Sequence, residues 1–528
     1  MAENLPDDKA APPRGGCRQI LEASRPWVRT PGPGDVEVPL PQMSYGRAVS
    51  WLAEREPERL AIVHADRSCS RAELDRRSNR LARAYAARGA AAGDLVTIGL
   101  PNGIEFLQAC AAVWKLGATP QPISSRLPEK ERSAIVELAD PALVVGVEPG
   151  AYGGRPSVPQ GFEPEAEHGD APLPDVTAQH ARAMTSGGST GRPKLIVDLV
   201  PGTCDPEAAG NGMQLGGTTL APGPLYHAGP FITAWQCVLS GGTAVLMSRF
   251  DAEGALALIE RHRVDWALFV PTMMLRIWRL PEETRARFDI STLNRVMCTG
   301  APCPAWLKRA WIDWLGPEKI WEAYGGSERI AGTIISGTDW LAHPGSVGRP
   351  TGDRKLRILD EAGKECPLGQ VGEVYMMPPG GQGSTYRYLG AEATATSDGW
   401  ETLGDLGWLD EDGFLYLADR KTDMVVVGGA NVYPAEVEAA LEAHPAVRSC
   451  AVIGLPDNDL GQRLHAIVET AEALSDDALR EHLREHLVVY KIPRSFERVS
   501  EPLRDDAGKL RRSALRAARM KSTGPRPT

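Results

Sequence analysis

The sequence lacks any long apolar run, which argues against a chain built around membrane-spanning helices. No stretch of about 18 consecutive apolar residues occurs in the 528 residues, and a spanning helix needs roughly that length. The first residues, MAENLPDDKAAPPRGG, are acidic and then rich in Pro and Gly, without the apolar segment of a secretory signal peptide. We therefore expect a cytoplasmic protein without a membrane span.

The chain also lacks an excess of positive charge and a cysteine spacing typical of metal sites. Its 58 Lys and Arg residues against 68 Asp and Glu residues give a net charge of −10, whereas duplex binding needs a clustered cationic surface. The nine cysteines include no CxxC pair, and the closest two, Cys298 and Cys303, fit no zinc motif. The composition argues against nucleic acid as the main partner and favours reduced, buried thiols.

The length and the alternation of segments predict an α/β protein with two structured domains. A chain of 528 residues exceeds one ordinary hydrophobic core. Residues 1–41 are rich in Pro, Gly and charge, which predicts a flexible leader. Residues 42–420 alternate β-rich and helical patterns, which predicts right-handed βαβ units, largely parallel sheets and a large N-terminal domain. Residues 421–528 are predicted to form a smaller, mobile α+β C-terminal domain.

Individual elements follow from apolar spacing and from Gly and Pro signals. Strands are predicted at residues 94–101, 143–147, 243–248, 264–271 and 294–298, and helices at residues 71–90, 103–117, 252–262 and 272–280. Asp412-Gly413 predicts a hairpin, and Pro434 predicts the start of a helix. Because ligands of parallel sheets bind at the carboxyl ends of the strands, we expect the functional site among the loops that follow them.

The densest chemical signal is a segment rich in glycine and hydroxyl residues. It reads Thr185-Ser186-Gly187-Gly188-Ser189-Thr190-Gly191-Arg192-Pro193-Lys194. Glycines let successive backbone N–H groups converge on an anion, the hydroxyls add donors, and Lys194 adds a positive charge. The segment is neither a Walker A loop, because Gly-Lys-Ser/Thr is absent, nor a GxGxxG motif. The pattern predicts a phosphate site; a flexible surface turn is the alternative for the segment taken alone.

This segment resembles the phosphate-binding loop of the adenylate-forming superfamily, which includes acyl-CoA and aryl-CoA synthetases, peptide-synthetase adenylation domains and luciferases. The usual pattern is Thr-Ser-Gly-Ser-Thr-Gly-x-Pro-Lys-Gly. Here Gly187 and Gly188 double the first glycine, as in bile-acid-CoA ligase-like members, and Leu195 replaces the last one. The resemblance spans about residues 42–515 and implies a large ATP- and acid-binding domain with a mobile C-terminal lid.

Further motifs follow in the order of the family, and the resemblance gives each a role. They are Pro224-Leu225-Tyr226-His227-Ala228-Gly229, Thr299-Gly300-Ala301-Pro302 and Tyr324-Gly325-Gly326-Ser327-Glu328. The first resembles the segment in which an aromatic residue or histidine, here His227, gates the acyl pocket. The other two resemble the segments that enclose adenine and the α-phosphate. A structural histidine and a solvated acid are the alternatives for His227 and Glu328 taken singly.

The chemistry of the second pair of motifs agrees with these roles. Tyr324 offers a flat face to a purine, and the glycines allow close approach of the backbone. Ser327 can donate a hydrogen bond to a phosphate. Glu328 is a hard oxygen ligand suited to a Mg²⁺ ion that also keeps waters and phosphate oxygens. The resemblance therefore implies ATP and Mg²⁺ as cofactors.

Two motifs precede the predicted boundary between the domains. Asp405, in Thr402-Leu403-Gly404-Asp405, resembles the aspartate that accepts hydrogen bonds from both ribose hydroxyls, a task that suits the two oxygens of a carboxylate. Arg420 resembles the arginine just before the hinge, which contacts the ribose or a phosphate. Two positions later Thr422 stands where the family usually has Asp or Lys.

Two motifs lie in the predicted C-terminal domain. Gly429 resembles the glycine turn that lines the thiol tunnel, although Ala430 replaces a common glutamate. Lys509, preceded by Gly508, resembles the lysine that catalyses adenylation. A cation on the basic tail helix is the alternative for Lys509.

The implied reaction activates a carboxylic acid as an acyl-adenylate and releases pyrophosphate. Acid, triphosphate and pentavalent phosphorus are all anionic, so catalysis has to come from fixed donors and cations. The resemblance assigns these roles to residues 185–194, to Glu328 with Mg²⁺ and to Lys509, and implies coenzyme A as the acceptor. Three alternatives stay open. They are a biosynthetic enzyme that passes its adenylate to a carrier protein, an amine or another nucleophile such as nitrite; a regulatory nucleotide-binding module; and a kinase or ATPase, which would yield ADP.

The small-molecule acid is expected to be aromatic or bulky and hydrophobic. The pocket is predicted to be built from residues 324–331 and from the residues after His227, namely Phe231, Ile232, Ala234 and Trp235. These residues are apolar, and no charged residue is placed to bind an α-amino group; core packing is their alternative role. The sequence names neither the acid nor the oligomeric state, of which a homodimer is one option.

Overall fold

The computed structural model describes residues 42–152, 154–187, 193–470, 474–505 and 508–522. The predicted leader and Gly188, Ser189, Thr190 and Gly191 of the glycine-rich segment lie outside these ranges. Within them, no helix combines the length and the apolar character that crossing a bilayer requires. The eight described cysteines are free thiols. The architecture is α/β, as predicted: mostly parallel sheets in a large N-terminal part, and a smaller α+β part after Arg420.

The largest sheet has nine strands, and its six central strands are joined by parallel pairs. In spatial order the strands are β17 (Arg349–Pro350), β16 (Gly332–Ser336), β15 (Ile320–Gly325), β14 (Arg295–Cys298), β13 (Trp266–Phe269), β11 (Thr218–Ala221), β12 (Thr243–Leu246), β2 (Leu60–His64) and β3 (Arg67–Ser70). The pairs from β15 through to β2 are parallel, and β3, β16 and β17 add antiparallel edges. The carboxyl ends of β13, β14 and β15 therefore meet at one edge, where the site lies.

A second sheet is parallel throughout. Its strands in spatial order are β5 (Thr119–Pro122), β4 (Leu95–Ile98), β6 (Leu143–Val145) and β7 (Ser157–Val158). Segments 94–101 and 143–147 were predicted as strands, and the structure has both in shorter form. The described residues between Val145 and Ala183 form loop apart from β7.

Antiparallel sheets complete the N-terminal part and were not predicted, except for one hairpin. One sheet joins β20 (Tyr386–Leu389), β9 (Pro193–Asp198) and β8 (Ala183–Gly187); another joins β18 (Lys355–Leu359), β19 (Gly372–Met377), β22 (Glu401–Leu409), β21 (Thr394–Ala395) and β23 (Leu415–Arg420); a short pair joins β1 (Met43–Ser44) and β10 (Thr203–Cys204). The predicted turn at Asp412-Gly413 connects β22 and β23. These strands do not alternate with helices along the sequence, so the search for a βα pattern did not identify them.

The helices begin and end at recognisable local signals. They are α1 (Tyr45–Arg55), α2 (Arg71–Ala86), α3 (Ile104–Lys115), α4 (Glu129–Ala139), α5 (Ala228–Leu239), α6 (Ala252–His262), α7 (Pro271–Trp278), α8 (Glu282–Arg285), α9 (Ala305–Leu315), α10 (Gly337–Ala342), α11 (Pro434–Glu442), α12 (Asp476–Arg484) and α13 (Arg512–Ser522). A capping box starts α2, because the Ser70 hydroxyl accepts from the Glu73 amide and the Glu73 carboxylate accepts from the Ser70 amide. A proline opens both α7 and α11.

The C-terminal part forms its own hydrophobic core. Its strands are β24 (Val425–Val427), β25 (Ala430–Val432), β26 (Val447–Asp457), β27 (Gly461–Thr470) and β28 (Ser495–Val499), and α11, α12 and α13 accompany them. One buried cluster consists only of residues from Val425 to Phe496. Two larger clusters pack within the N-terminal part, around Trp114 and around Trp311. Separate cores let the two parts move as units.

Candidate active site

A cavity of about 1490 Å³ lies at the carboxyl ends of β13, β14 and β15, and residues of both parts of the chain line it. Among the residues predicted from sequence, its lining contains Thr185, Ser186, Lys194, His227, Gly300, Ala301, Pro302, Tyr324, Gly325, Ser327, Glu328, Asp405, Arg420 and Lys509. Gly187 and Gly429 are described but are not part of this lining. Most of the predicted site thus converges on one space, although its members are spread over more than 300 residues of chain.

The described ends of the glycine-rich segment lie on β8 and β9. Ser186 pairs with Lys194 and Gly187 with Pro193, and residues 188–192 lie outside the described part of the chain. The Thr185 hydroxyl accepts a hydrogen bond of 2.8 Å from Gln121 Nε2. Gln121, whose contribution the sequence did not reveal, accepts in turn from the Thr97 hydroxyl at 2.6 Å. The hairpin is thereby anchored to the four-stranded sheet.

Lys194 and Tyr388, both half-buried, form a cluster with the buried Glu328 beside this hairpin. Glu328 is 7% exposed, and its Oε1 accepts from the Tyr388 hydroxyl at 2.7 Å and lies 3.7 Å from Lys194 Nζ. The Lys194 ammonium also sits 3.9 Å from the centre of the Tyr388 ring. Burial lowers the pKa of Lys194, and the charge of Glu328 opposes that shift. No sequence motif pointed to Tyr388, which reaches the site only because β20 pairs with β9.

Gly326 lies directly beside the Glu328 side chain. A Cβ atom at this position would lie 2.6 Å from Glu328 Oε2 and 2.7 Å from a methyl group of Leu403. A larger residue would therefore shift the ends of these two side chains, whereas glycine leaves room for the Glu328 carboxylate in its present position.

Tyr324, Asp405 and Arg420 are joined by direct contacts. The Tyr324 hydroxyl donates to Asp405 Oδ2 at 2.8 Å, and Arg420 Nε lies 3.4 Å from Asp405 Oδ1. Burial raises the pKa of Asp405, while Arg420 and the Tyr324 hydrogen bond oppose the shift. Asp405 pairs with Arg420 across the β22–β23 hairpin. Two motifs that are 15 residues apart in sequence are thus neighbours in the sheet.

His227 stands at the N-terminus of α5 with an unpaired ring nitrogen. Its Nε2 is buried and has no hydrogen-bond partner among the described residues. Burial lowers the pKa of His227 to about 3, and the positive charge of Lys509 adds to the effect. The imidazole is therefore neutral at pH 7 and keeps a hydrogen-bonding position towards the cavity.

Lys509 enters the same cavity from the C-terminal part. Its side chain is open to the cavity, yet the surrounding protein lowers the pKa of Lys509; nearby Arg420 acts in the same direction, and Asp505 and Glu328 oppose it. Gly508 has φ +75°, and a Cβ there would lie 2.6 Å from the Thr272 hydroxyl at the start of α7. Glycine at 508 thus permits both the turn and the close contact between the two parts.

One prediction about the acid-binding region is wrong. Phe231, Ala234 and Trp235 are buried in the core around Trp114 and do not line the cavity, whereas Ile232 does. The reason is the helical period: α5 turns one face towards the core and presents Ile232 and Thr233 on another.

Residues on strands, which were not predicted from the sequence, line the rest of the acid-binding region. We call this region the acyl pocket; it is lined by Asn211, Ile232, Thr233, Trp266, Leu268, Met297, Ala323, Thr333 and Ile334. Trp266 and Leu268 alternate along β13, and their spacing of two is what places them on one face of the sheet. The pocket wall is mainly apolar.

Comparison with known proteins agrees with this geometry. Residues 49–386 match the AMP-binding enzyme family, and residues 436–509 match the AMP-binding enzyme C-terminal domain. A feruloyl-CoA synthase of Amycolatopsis is 32% identical over 88% of this chain and 98% of that protein. A 2-succinylbenzoate–CoA ligase of Bacillus licheniformis is 29% identical over 88% of this chain and 99% of that protein.

Solved structures show the same architecture. The o-succinylbenzoate CoA synthetase of Bacillus subtilis, in complex with its acyl-adenylate intermediate, superposes with a TM-score of 0.75 at 27% identity, covering 90% of this chain and 98% of that one. An amide bond synthetase of Marinactinospora thermotolerans gives a TM-score of 0.74 at 26% identity, covering 90% and 99%. The chain belongs to the AMP-binding enzyme family, the adenylate-forming superfamily anticipated from its motifs, and is an ATP-dependent, AMP-forming acid–thiol ligase.

Proposed function

We propose that this enzyme activates an aromatic carboxylic acid as its adenylate and transfers the acyl group to coenzyme A. The observation that carries the proposal is the single cavity that holds Glu328, Asp405 and Lys509 next to an apolar pocket. The nucleotide, the acid and the lysine of the C-terminal part would meet there. The relatives whose names include an aromatic acid and coenzyme A support this substrate class.

The nucleoside would bind between Tyr324 and the segment Gly300-Ala301-Pro302. Tyr324 is held by its hydrogen bond to Asp405, so its ring is fixed before ATP arrives. Each Asp405 oxygen has one partner in the cluster and retains a second lone pair for a ribose hydroxyl. Arg420, more than half exposed at this position, would add a positive charge beside the ribose and the phosphates.

The polyphosphate would lie between the β8–β9 hairpin and Glu328. The described residues contain no cluster of three or more His, Cys, Asp or Glu side chains able to hold a metal. A lone carboxylate such as Glu328 fits Mg²⁺, which is held in such sites by one or two carboxylates, waters and substrate phosphates. Bound there, Mg²⁺ supplies charge neutralisation for the triphosphate. The hydrogen bond from Tyr388 and the nearby Lys194 ammonium keep the Glu328 carboxylate oriented.

Lys509 would stabilise the first step. An oxygen of the acid attacks the α-phosphorus, the bond to the β-phosphate oxygen breaks, and pyrophosphate leaves with that electron pair. Negative charge grows on the α-phosphate oxygens, and the Lys509 ammonium opposes it. His227, neutral and with Nε2 unpaired, would hydrogen-bond at the mouth of the acyl pocket. Its position between Lys509 and the pocket suits the gating role inferred from sequence.

The second step requires another arrangement of the two parts. In the described arrangement Lys509 lines the cavity and Gly429 does not. A rotation of the C-terminal part about residues 420–422 would withdraw Lys509 and bring the Gly428-Gly429 turn towards the adenylate. The thiol of coenzyme A would then attack the acyl carbonyl, and AMP would leave. We place the boundary between an adenylation domain, residues 42–420, and a lid domain, residues 421–528, at this hinge.

The test is product identity across a set of acids. Purified enzyme is incubated with ATP, Mg²⁺ and benzoate, cinnamate, octanoate, acetate or phenylalanine, and pyrophosphate exchange is measured with and without coenzyme A. We expect exchange with the aromatic acids and AMP plus an acyl-CoA when coenzyme A is present. An amine in place of coenzyme A tests the amide-forming alternative. Release of ADP and orthophosphate, with no exchange for any acid, would exclude the proposal.

A further inference from the structure

The acyl pocket is deep, and two independent elements give its depth. Along α5, Gln236, which contacts the lining residue Asn211 but does not itself line the cavity, lies nine residues after His227, which corresponds to about 13 Å at 1.5 Å per residue. Along β13, Trp266 lies four residues below Val270, which corresponds to about 13 Å at 3.3 Å per residue. The floor is therefore remote from the mouth, where the carboxyl group would react. An acid that fills the pocket reaches the floor with its distal end.

Asn211 forms that floor and is held there by two hydrogen bonds. Its backbone oxygen accepts from Trp266 Nε1 at 3.0 Å, and its Nδ2 donates to Gln236 Oε1. Its φ of +56° is a left-handed conformation, which asparagine tolerates better than most residues. Since Asn211 also lines the cavity, a side-chain amide stands at the end of a mostly apolar pocket.

The amide oxygen of Asn211 has hydrogen-bonding capacity left. Among the described residues, Asn211 Oδ1 accepts no hydrogen bond, whereas the other polar wall groups are largely satisfied. The Thr333 hydroxyl donates to the Val347 carbonyl at 2.6 Å; the Thr233 hydroxyl, higher on α5, has no such partner. A ligand that displaced water from the floor without replacing its hydrogen bond would leave the amide oxygen unpaired, which is costly.

The charge behind the floor points in the same direction. The Arg295 guanidinium lies against Gly212, the neighbour of Asn211, and stacks 4.0 Å from the Trp321 ring centre. Its buried Nη1 has no acceptor within the described part of the chain. A positive charge at this place favours an electronegative oxygen on the distal end of the acid and disfavours an ammonium group.

We propose that Asn211 is a specificity-determining residue that accepts a hydrogen bond from a hydroxyl group on the distal end of the acid. The proposal rests on the proposed function and narrows its substrate class to aromatic acids with a ring hydroxyl remote from the carboxyl group. A hydroxyl donates to Asn211 Oδ1 and presents its oxygen to the positive side of the floor. A site built to bind a hydroxyl rejects the analogue that lacks it more strongly than an apolar pocket rejects a missing methylene.

The experiment compares kcat/KM for adenylate formation with cinnamate, 4-hydroxycinnamate, 4-methoxycinnamate and 4-carboxycinnamate. We expect the wild-type enzyme to prefer the hydroxyl compound over cinnamate by at least about tenfold, since an unmet hydrogen bond at a buried amide costs that much or more. Equal rates for these two acids, or a preference for the carboxylate or the methyl ether, would overturn the proposal. Failure of all four acids to support pyrophosphate exchange would instead contradict the proposed function.

Variants assign the preference to the residue. Asn211→Gly, which suits the positive φ, is expected to bring the ratio of kcat/KM for 4-hydroxycinnamate to kcat/KM for cinnamate close to one. Asn211→Asp keeps a hydrogen-bond acceptor and is expected to retain a preference for 4-hydroxycinnamate. Gln236→Met leaves the Asn211 backbone intact and is expected to weaken the preference by releasing the amide, so a failure of Asn211→Gly to fold does not end the test. If Thr233→Val abolishes the preference for 4-hydroxycinnamate over cinnamate and Asn211→Gly retains it, the assignment to Asn211 is wrong.

Discussion

At the scale of single residues, environment rather than residue type decides the chemistry. His227 is an ordinary histidine in the sequence, but burial holds it neutral and leaves Nε2 without a partner in the described structure. Lys509 and Lys194 share one cavity, yet Lys194 is paired with Glu328 and stacked on Tyr388, whereas Lys509 remains open to the cavity. Of these two lysines, Lys509 is therefore the one whose ammonium group is available to a substrate.

The low pKa of His227 predicts acid sensitivity of the fold. An unfolded histidine binds a proton near pH 6.5, whereas His227 in the folded state binds one only near pH 3, so acidification between these values favours unfolding. The contribution to stability is fully present above about pH 6.5 and is lost as the pH falls towards 3, by about 1.4 kcal/mol per pH unit.

The measurement is urea unfolding of the wild type and of His227→Phe at pH 7 and pH 5. We expect the wild type to lose about 2 kcal/mol more than the variant between these two pH values. His486→Asn, at an exposed position of the C-terminal part, serves as a control and is expected to behave like the wild type. Equal losses for wild type and His227→Phe would show that His227 is not held neutral by burial.

Sequence reasoning identified residues that belong to contiguous motifs, and it missed those that reach the site by pairing of distant strands. Glu328 and Lys509 stand in segments that could be read locally, and the structure places both on the cavity. Tyr388 and Gln121 donate directly to Glu328 and Thr185, but each lies far from its partner in sequence. Their own sequence surroundings carry no chemical pattern, so only the assembled sheets show that they belong to the site.

At the scale of elements, α7 and the residue that follows it contact the C-terminal part in the described arrangement. Its first turn holds Thr272 against Gly508, and at its end Arg279 reaches into the C-terminal part. Arg279 donates to the Glu442 carbonyl at 3.0 Å and to the Arg448 carbonyl at 3.1 Å. Glu442 is the last residue of α11, so Arg279 satisfies a carbonyl at the negative end of that helix.

Loss of the Arg279 contacts should slow adenylation more than thioester formation. Two charge-assisted hydrogen bonds of about 1.5 kcal/mol or more each hold the arrangement in which Lys509 faces the cavity. We expect Arg279→Ala to reduce the single-turnover rate of adenylate formation by about ten- to 100-fold, and to leave the reaction of a synthetic acyl-adenylate with coenzyme A nearly unchanged.

Arg276→Ala is the matched control, because Arg276 lies on the same helix and is exposed. This variant is expected to match the wild type in both half-reactions. If Arg279→Ala lowers the rates of adenylate formation and of thioester formation equally, the variant has lost folded protein in general. If it lowers neither rate, the Arg279 contacts do not control the position of the C-terminal part.

Helix α5 illustrates where element prediction fails. The sequence predicted that the apolar residues after His227 line the acid pocket, and a contiguous apolar stretch does not reveal which face of a helix meets a ligand. Phe231 and Trp235 pack in ring-to-ring contacts with Trp114, at 6.0 and 4.5 Å between ring centres. The large aromatic side chains thus stabilise the core, and the pocket receives the smaller Ile232 and Thr233.

At the scale of the whole molecule, Lys509 and Gly429 cannot serve one cavity at the same time in the described arrangement. The proposed reaction therefore alternates between two positions of the C-terminal part, one for each half-reaction. The proposals of a hinge near Arg420, a homodimer and a cytoplasmic location stay predictions. The separate core of the C-terminal part supports the first of them.

Removal of the Lys509 ammonium should separate the two half-reactions. Loss of one charge-stabilising donor commonly lowers a rate about 100- to 1000-fold, and we expect Lys509→Ala to reduce pyrophosphate exchange by that factor. Thioester formation from a synthetic acyl-adenylate is expected to remain within about threefold of the wild type, because the proposed rotation of the C-terminal part would withdraw Lys509 in that step.

Two controls accompany Lys509→Ala: a measurement of ATP binding, and a variant that removes a neighbouring positive charge. ATP binding, measured by calorimetry, is expected to persist in Lys509→Ala, and Arg511→Ala, which removes an exposed neighbouring cation, should leave exchange largely intact. Full exchange activity in Lys509→Ala, or equal loss in both half-reactions, would contradict the assignment.

The sequence by itself determined the α/β class, the family, the order of the motifs and most of the predicted site residues that line the cavity, because short-range patterns encode turns, strand–helix alternation and the chemistry of contiguous segments. Only the tertiary structure decided which face of α5 lines the pocket, that Tyr388 orients Glu328, that Arg279 seats the C-terminal part and that Asn211 closes the floor of the acyl pocket. These features depend on contacts between residues far apart in the chain, and such contacts are fixed by packing rather than by any local pattern.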